Sequence, residues 1–129
     1  MKYMGSKNRI AKYILPIMLK EANEKGMTTW VEPFVGGANM IDKVTNNFQR
    51  IGIDYNVHTI EALIAIRDLV DKLPNEVTVE YYNSLKRTKP EPITSLIRFG
   101  ASFGGKFENG YARRDGKSMW GECVRNSKK

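Results

Sequence analysis

Two adjacent glycines, Gly36 and Gly37, follow the apolar run "TTWVEPFV" at residues 28–35, and eighteen residues beyond the first of them Asp54 closes a second apolar run. Glycine has no Cβ, so a loop built on two of them lets a ligand come close to backbone. A carboxylate at the end of the next strand accepts hydrogen bonds from ribose hydroxyls. The pair therefore has the chemistry of a nucleoside site. Phosphate-binding versions of such a site require G-x-G-x-x-G or a glycine loop ending in G-K-[ST]. Neither pattern follows this strand.

Several elements must form if these groups are to meet. Ser6 is a candidate N-cap, and Ile10, Tyr13, Ile14, Ile17 and Met18 recur at helical spacing, which predicts a helix over 7–25 that Pro16 kinks or splits. Residues 28–32 read as a buried strand, and Asn39 as the cap of a short helix over 40–46. "RIGIDYN" at 50–56 reads as a second short buried strand ending in an acid. Asn56 then caps a helix over 57–73, whose Ile60, Leu63, Ile64, Ile66, Leu69, Val70 and Leu73 make one broad apolar face that Pro74 ends. This order predicts an α/β domain with a parallel sheet and its ligand beyond the carboxyl ends of the strands. Further on, the pattern of 77–88 admits helix or strand, with helix favoured, "KPEP" at 89–92 reads as a break, and "ITSLIRFGASF" as a helix entering the glycine-rich basic stretch "GGKFENGYARRDGK". Only two strands are evident, too few for a complete doubly wound sheet.

A chain of 129 residues with 41% apolar content is the size of one compact domain. No apolar run is long enough for a membrane span, and no signal pattern opens the sequence, so nothing points to a membrane or to secretion; no metal is expected as a partner either. The one cysteine, Cys123, fits a reducing cytoplasm and reads as an ordinary thiol. Residues 1–85 carry ten Lys/Arg and ten Asp/Glu, whereas 86–129 carry eleven and four, so the last third holds the whole charge of +7. Such asymmetry points to a polyanion at the C-terminal part, with a solvated surface as the plain alternative.

A nucleoside ligand without phosphates suits the glycine pair and Asp54, and S-adenosylmethionine is the common one. "KYMGSKNRIAKYIL" at 2–15, "VEPFVGGA" at 31–38 and "GIDYN" at 52–56 resemble, in order and spacing, the cofactor motifs of the adenine-specific DNA methyltransferases of the Dam type, especially phage-encoded members. "SFGGKFENGYAR" at 102–113 is similar to their target-recognition region. The resemblance implies a Rossmann-like S-adenosylmethionine-dependent methyltransferase fold in a bacterial or phage-encoded cytoplasmic protein. It implies methyl transfer to adenine N6 in double-stranded DNA. It places Tyr3 and Lys7 at the cofactor, with Lys7 facing the methionine carboxylate. Glu32, Pro33, Phe34, Gly36 and Gly37 become the cofactor loop, and Asp54 the ribose ligand. Each has an ordinary alternative: packing for Tyr3, a solvated first-turn lysine for Lys7, core for Phe34, a helix cap for Asp54. In the basic segment, Lys106, Arg113, Arg114 and Lys117 are candidate DNA contacts, with Phe107 and Tyr111 either beside a displaced base or part of a local core that holds the loop together. Phe103 reads as local core, and His58 as a surface or capping residue.

In this family the adenine amine is held by a D-P-P-Y motif on a later strand. The five prolines here, Pro16, Pro33, Pro74, Pro90 and Pro92, include no adjacent pair, so that motif is not in the sequence. The expectation is one compact but incomplete unit, with residues 1–74 as the cofactor part and 75–129 as the basic helical and loop recognition part. This chain is then the N-terminal portion of such an enzyme, inactive alone, either as a shortened gene product or as one half of a split enzyme completed by a second polypeptide. The alternatives are a non-catalytic derivative that binds cofactor, DNA or protein, or a remnant. A sheet left unfinished also predicts self-association through its open edge.

Overall fold

The computed structural model describes residues 1–129, which form two compact units, Gly5–Tyr55 and Met1–Met4 together with Asn56–Lys129. The first unit contains helix α1 (Asn8–Glu24) and strands β1 (Thr29–Pro33) and β2 (Gln49–Ile53). The strands pair in parallel from Thr29↔Gln49 to Pro33↔Ile53. Ala11 and Leu15, one helical turn apart on α1, join Trp30, Met40, Val44 and Phe48 in the core of this unit.

Three local expectations change. Helix α1 runs unbroken through Pro16, which sits on its exposed side, and the Asn8 N–H donates to the Ser6 hydroxyl at 3.1 Å. The helix foreseen at 40–46 is one 3-10 turn, Ile41–Lys43, because the backbone becomes extended at Val44. The Asn39 side chain does not cap that turn; its amide donates to Ser6 Oγ at 2.8 Å.

The second unit holds α2 (Val57–Asp68), α3 (Val79–Ser84), α4 (Pro92–Gly100), the antiparallel strands β3 (Arg113–Arg114) and β4 (Lys117–Ser118), and α5 (Trp120–Ser127). Asn56 caps α2 as expected, accepting from the His58 N–H at 3.1 Å. Thr78 caps α3 in the same manner. Helix α2 ends at Asp68, and a separate 3-10 turn, Val70–Lys72, precedes Pro74. Its buried line is Thr59, Ala62 and Ala65, while the larger residues beside them stay partly exposed. Small side chains allow close approach, and α2 packs on α4, where Leu96, Ile97 and Phe99 are buried with Tyr82 and Trp120.

That packing decides where the chain divides. Helix α2 belongs with the C-terminal residues, so the units meet in sequence at Tyr55/Asn56 rather than at Pro74, and they are two rather than one. The hairpin and α5 were not foreseen. Asp115 and Gly116 both have positive φ, 51° and 75°, the pattern of a two-residue type I′ turn between β3 and β4. Helices with a parallel strand pair give the molecule an α/β character.

Candidate cofactor loop and basic hairpin

The loop after β1 has alternating backbone handedness. Phe34, Gly36 and Ala38 have φ of 60°, 52° and 59°, and neither Val35 nor Gly37 between them is positive. The Val35 N–H donates to the Ile53 carbonyl and the Ala38 N–H back to the Val35 carbonyl, while the Gly36 N–H donates to Asp54 Oδ2 at 3.0 Å. Residues eighteen apart in sequence thus converge at the ends of two paired strands. Asp54 leaves the capping of α2 to Asn56.

The Glu32 side chain points from β1 into the interior of the same unit and is 7% exposed. Neither of its carboxylate oxygens has a hydrogen-bond partner. The Lys7 ammonium stands 3.3 Å from Oε1 without the alignment of a hydrogen bond, and donates at 2.8 Å to the Phe34 carbonyl. Lys7 therefore balances a buried charge and fastens the loop at once. Phe34 is not core. Its side chain is 79% exposed, and Tyr55, directly after Asp54, is 99% exposed.

Lys7, Glu32, Pro33, Phe34, Gly36, Gly37 and Asp54 all fall in the Gly5–Tyr55 unit. Tyr3 falls in the other, where its ring packs 5.6 Å from that of Phe99. The candidate that residue-level reading missed is Tyr55. Its only signal was its place inside "GIDYN", because an exposed ring leaves no trace in apolar periodicity.

In the basic segment Lys106, Arg113, Arg114 and Lys117 are exposed, the last three on the hairpin. Arg113 also lies over the Tyr111 ring, 5.5 Å from its centre. Tyr111 itself is tied down, its hydroxyl donating to the Val77 carbonyl at 2.7 Å and its ring set edge-on to Tyr82. Phe107 is enclosed by His58, Phe99 and Arg98 at 4.5, 5.0 and 4.4 Å. Phe103, expected in the core, is 53% exposed instead. It occupies a turn whose next two residues, Gly104 and Gly105, both have positive φ. A groove of about 510 Å³ runs beside the hairpin, with Glu76 and Glu80 among its lining residues along with Arg113 and Lys117.

Two further residues are accounted for by packing. Burial, above all, pushes the Cys123 thiol up to about 11, which keeps it protonated and inert at neutral pH. His58 is neither a surface residue nor the cap; its ring is partly buried against α4, with Nδ1 3.0 Å from Ser95 Oγ. No helix is long and apolar enough to cross a membrane.

Residues 3–92 match the family model of the D12 class N6 adenine-specific DNA methyltransferases, a family that implies S-adenosylmethionine as methyl donor and DNA as substrate. Residues 93–129, hairpin included, lie beyond that match. No curated protein and no solved structure matches significantly. With well over half of its length matched, and with the glycine loop and Asp54 within that part, the chain belongs to the D12 class of N6 adenine-specific DNA methyltransferases.

Proposed function

We propose that the Gly5–Tyr55 unit is the S-adenosylmethionine-binding portion of a Rossmann-like methyltransferase fold, and that the basic surface of residues 86–129 receives double-stranded DNA. The observation that supports this most is the Gly36 to Asp54 hydrogen bond, which joins glycine loop and strand-end acid where ligands lie in parallel sheets.

The residues present fit the cofactor. Asp54 offers a carboxylate to ribose hydroxyls, and Phe34 and Tyr55 offer exposed aromatic faces to adenine. Lys7 and Glu32 are opposite charges 3.3 Å apart, one buried without a hydrogen bond. An amino-acid zwitterion brings a matching carboxylate and ammonium to such a pair. When bound, S-adenosylmethionine supplies a methyl group made electrophilic by its sulfonium sulfur. On the DNA side, Lys106, Arg113, Arg114 and Lys117 meet phosphates. Tyr111 holds Arg113 in place and Phe107 braces the loop, while Phe103 is the aromatic ring presented to solvent.

Methyl transfer also requires acceptors for the adenine amine, the task of D-P-P-Y, and these 129 residues contain no such sequence. The proposal is therefore binding without transfer by this chain alone, with the missing groups supplied by further polypeptide. The absence of D-P-P-Y equally favours a second reading, a non-catalytic family derivative that binds cofactor, DNA or protein.

Calorimetric titration with S-adenosylmethionine tests the cofactor site. Saturable binding that is lost in Asp54→Ala is the expected result. A folded chain that releases no heat and shows no saturation overturns the cofactor assignment. Labelled methyl groups should not pass from S-adenosylmethionine to adenine-containing duplex DNA unless a polypeptide bearing D-P-P-Y is added. Transfer by the chain alone would sink that part of the proposal.

A further inference from the structure

The glycine loop is attached to β2 at three consecutive residues. The regular ladder ends at the pair Pro33↔Ile53. Beyond it the Val35 N–H donates to the Ile53 carbonyl at 2.8 Å, and the Gly36 N–H to Asp54 Oδ2 at 3.0 Å. On the other side of Ile53, the buried Val35 side chain covers Gly52, where a Cβ would stand 3.0 Å from Val35 Cγ2. The bare backbone of Gly52 under the Val35 side chain, the Ile53 carbonyl and the Asp54 carboxylate thus hold residues 35–36.

The loop needs to be held. Phe34 and Ala38 carry a Cβ yet have φ of 60° and 59°, a region that such residues keep only where their surroundings impose it. The Val35 and Ala38 N–H groups are answered by the Ile53 and Val35 carbonyls and the buried Gly36 N–H by Asp54, so losing that carboxylate leaves a buried donor unsatisfied.

We infer that Asp54 is a positioning residue for the glycine loop, as well as the ribose ligand of the proposed site, and that Gly52 to Asp54 form the template on which the loop is shaped. The inference rests on the cofactor reading for its purpose but not for its geometry. A carboxylate has about four lone-pair positions on its two oxygens, so the hydrogen bond from Gly36 does not exhaust its capacity to accept ribose hydroxyls. On this account the acid acts before the ligand arrives, and substituting it removes the loop's shape together with a ligand contact.

Hydrogen exchange of the Gly36 amide in the full chain, without ligand, is the first test. Exchange should be faster in Asp54→Ala by at least about tenfold, the scale of one lost hydrogen bond, and largely restored in Asp54→Asn, which keeps an acceptor oxygen. Exchange unchanged in a folded Asp54→Ala chain overturns the inference. Gly52→Ala touches neither the carboxylate nor any proposed ligand contact, so it serves if Asp54→Ala does not fold. It should also speed Gly36 exchange, because Val35 must move; unchanged exchange removes the template. The second test uses a 2′,3′-dideoxy analogue of S-adenosylhomocysteine. Asp54→Ala should bind this analogue at least about tenfold more weakly than the unaltered chain, although no hydroxyl remains to be lost. Equal binding of the analogue assigns Asp54 to the ribose alone and overturns the inference. If the unaltered chain binds neither nucleoside, the cofactor reading fails, and the exchange experiment still decides whether Asp54 shapes the loop.

Discussion

His58 shows how a single side chain can make stability depend on pH. Its Nδ1 lies 3.0 Å from Ser95 Oγ and 3.4 Å from Arg98 Nη1, and its ring lies on Phe107. A guanidinium only donates, so the Arg98 contact suits a neutral ring whose Nδ1 accepts and opposes a protonated one. Burial first, then the Arg98 charge, lower the pKa of His58, while Glu108 and Glu61 oppose the shift. Between the lowered folded value and the ordinary value of about 6.5, the unfolded chain binds the proton more readily. Stability should therefore fall as pH drops below about 6.5, and level off below the folded value. Urea midpoints at neutral and mildly acid pH measure this, and in His58→Gln the drop attributable to this residue should disappear. A slope unchanged in His58→Gln would assign it to other groups. Lys7 permits a second test, because its ammonium is the charge that faces buried Glu32. Lys7→Met should destabilise by roughly 1–3 kcal/mol through the carboxylate left unbalanced. Lys7→Met with Glu32→Gln should cost less than Lys7→Met alone; additive losses would mean that the two side chains do not interact.

Neighbouring glycines separate strain from contact within one turn. Gly104 and Gly105 have φ of 64° and 68°, but a Cβ on Gly104 would meet nothing within 4 Å, whereas one on Gly105 would stand 2.7 Å from the Lys2 carbonyl oxygen. Gly104→Ala should cost roughly 1 kcal/mol, from backbone strain alone. Gly105→Ala should cost about 1–3 kcal/mol more, since residues 2–4 must move away. Equal losses in thermal unfolding would show that the N-terminal residues yield without resistance. This contact also marks the limit of sequence reading, since nothing near Gly105 announces Lys2. The periodic elements α1, β1, β2 and α4 were legible from local pattern, as were Asn56 as a cap and the spacing from Gly36 to Asp54. The burial expected of β2 was wrong, however: all five of its residues are exposed, because no neighbouring element covers them. What depends on a distant partner was not legible: Phe103 is as apolar as Phe107, yet only Phe107 has His58, Phe99 and Arg98 around it. The hairpin was a different omission, because Asp115-Gly116 is a strong turn signal hidden in a stretch read only for its charge.

At the scale of the whole molecule, charge and uncovered apolar surface make separate predictions. If Arg113, Arg114 and Lys117 meet phosphates, replacing all three with Ala should reduce the slope of log affinity for duplex DNA against log salt by about 0.9 per lost contact. An unchanged slope would place DNA elsewhere. The apolar surface lies in the Gly5–Tyr55 unit, where Val31 of β1 and Ile51 and Ile53 of β2 are exposed. Parallel strands are ordinarily covered on both faces, and a pair of strands leaves two edges unpaired. Helix α1 likewise buries Ala11 and Leu15 but exposes Ile10, Tyr13, Ile14 and Ile17. Apolar groups left in water at this density favour association. Sedimentation velocity should show the chain associating as concentration rises, and Ile53→Lys should oppose it. A monomer at every concentration would show that these faces tolerate water. If the natural cover is instead a polypeptide carrying D-P-P-Y, adding it should dissolve the self-association and start methyl transfer together, because one surface serves both. Transfer gained with self-association intact would mean that the two use different surfaces.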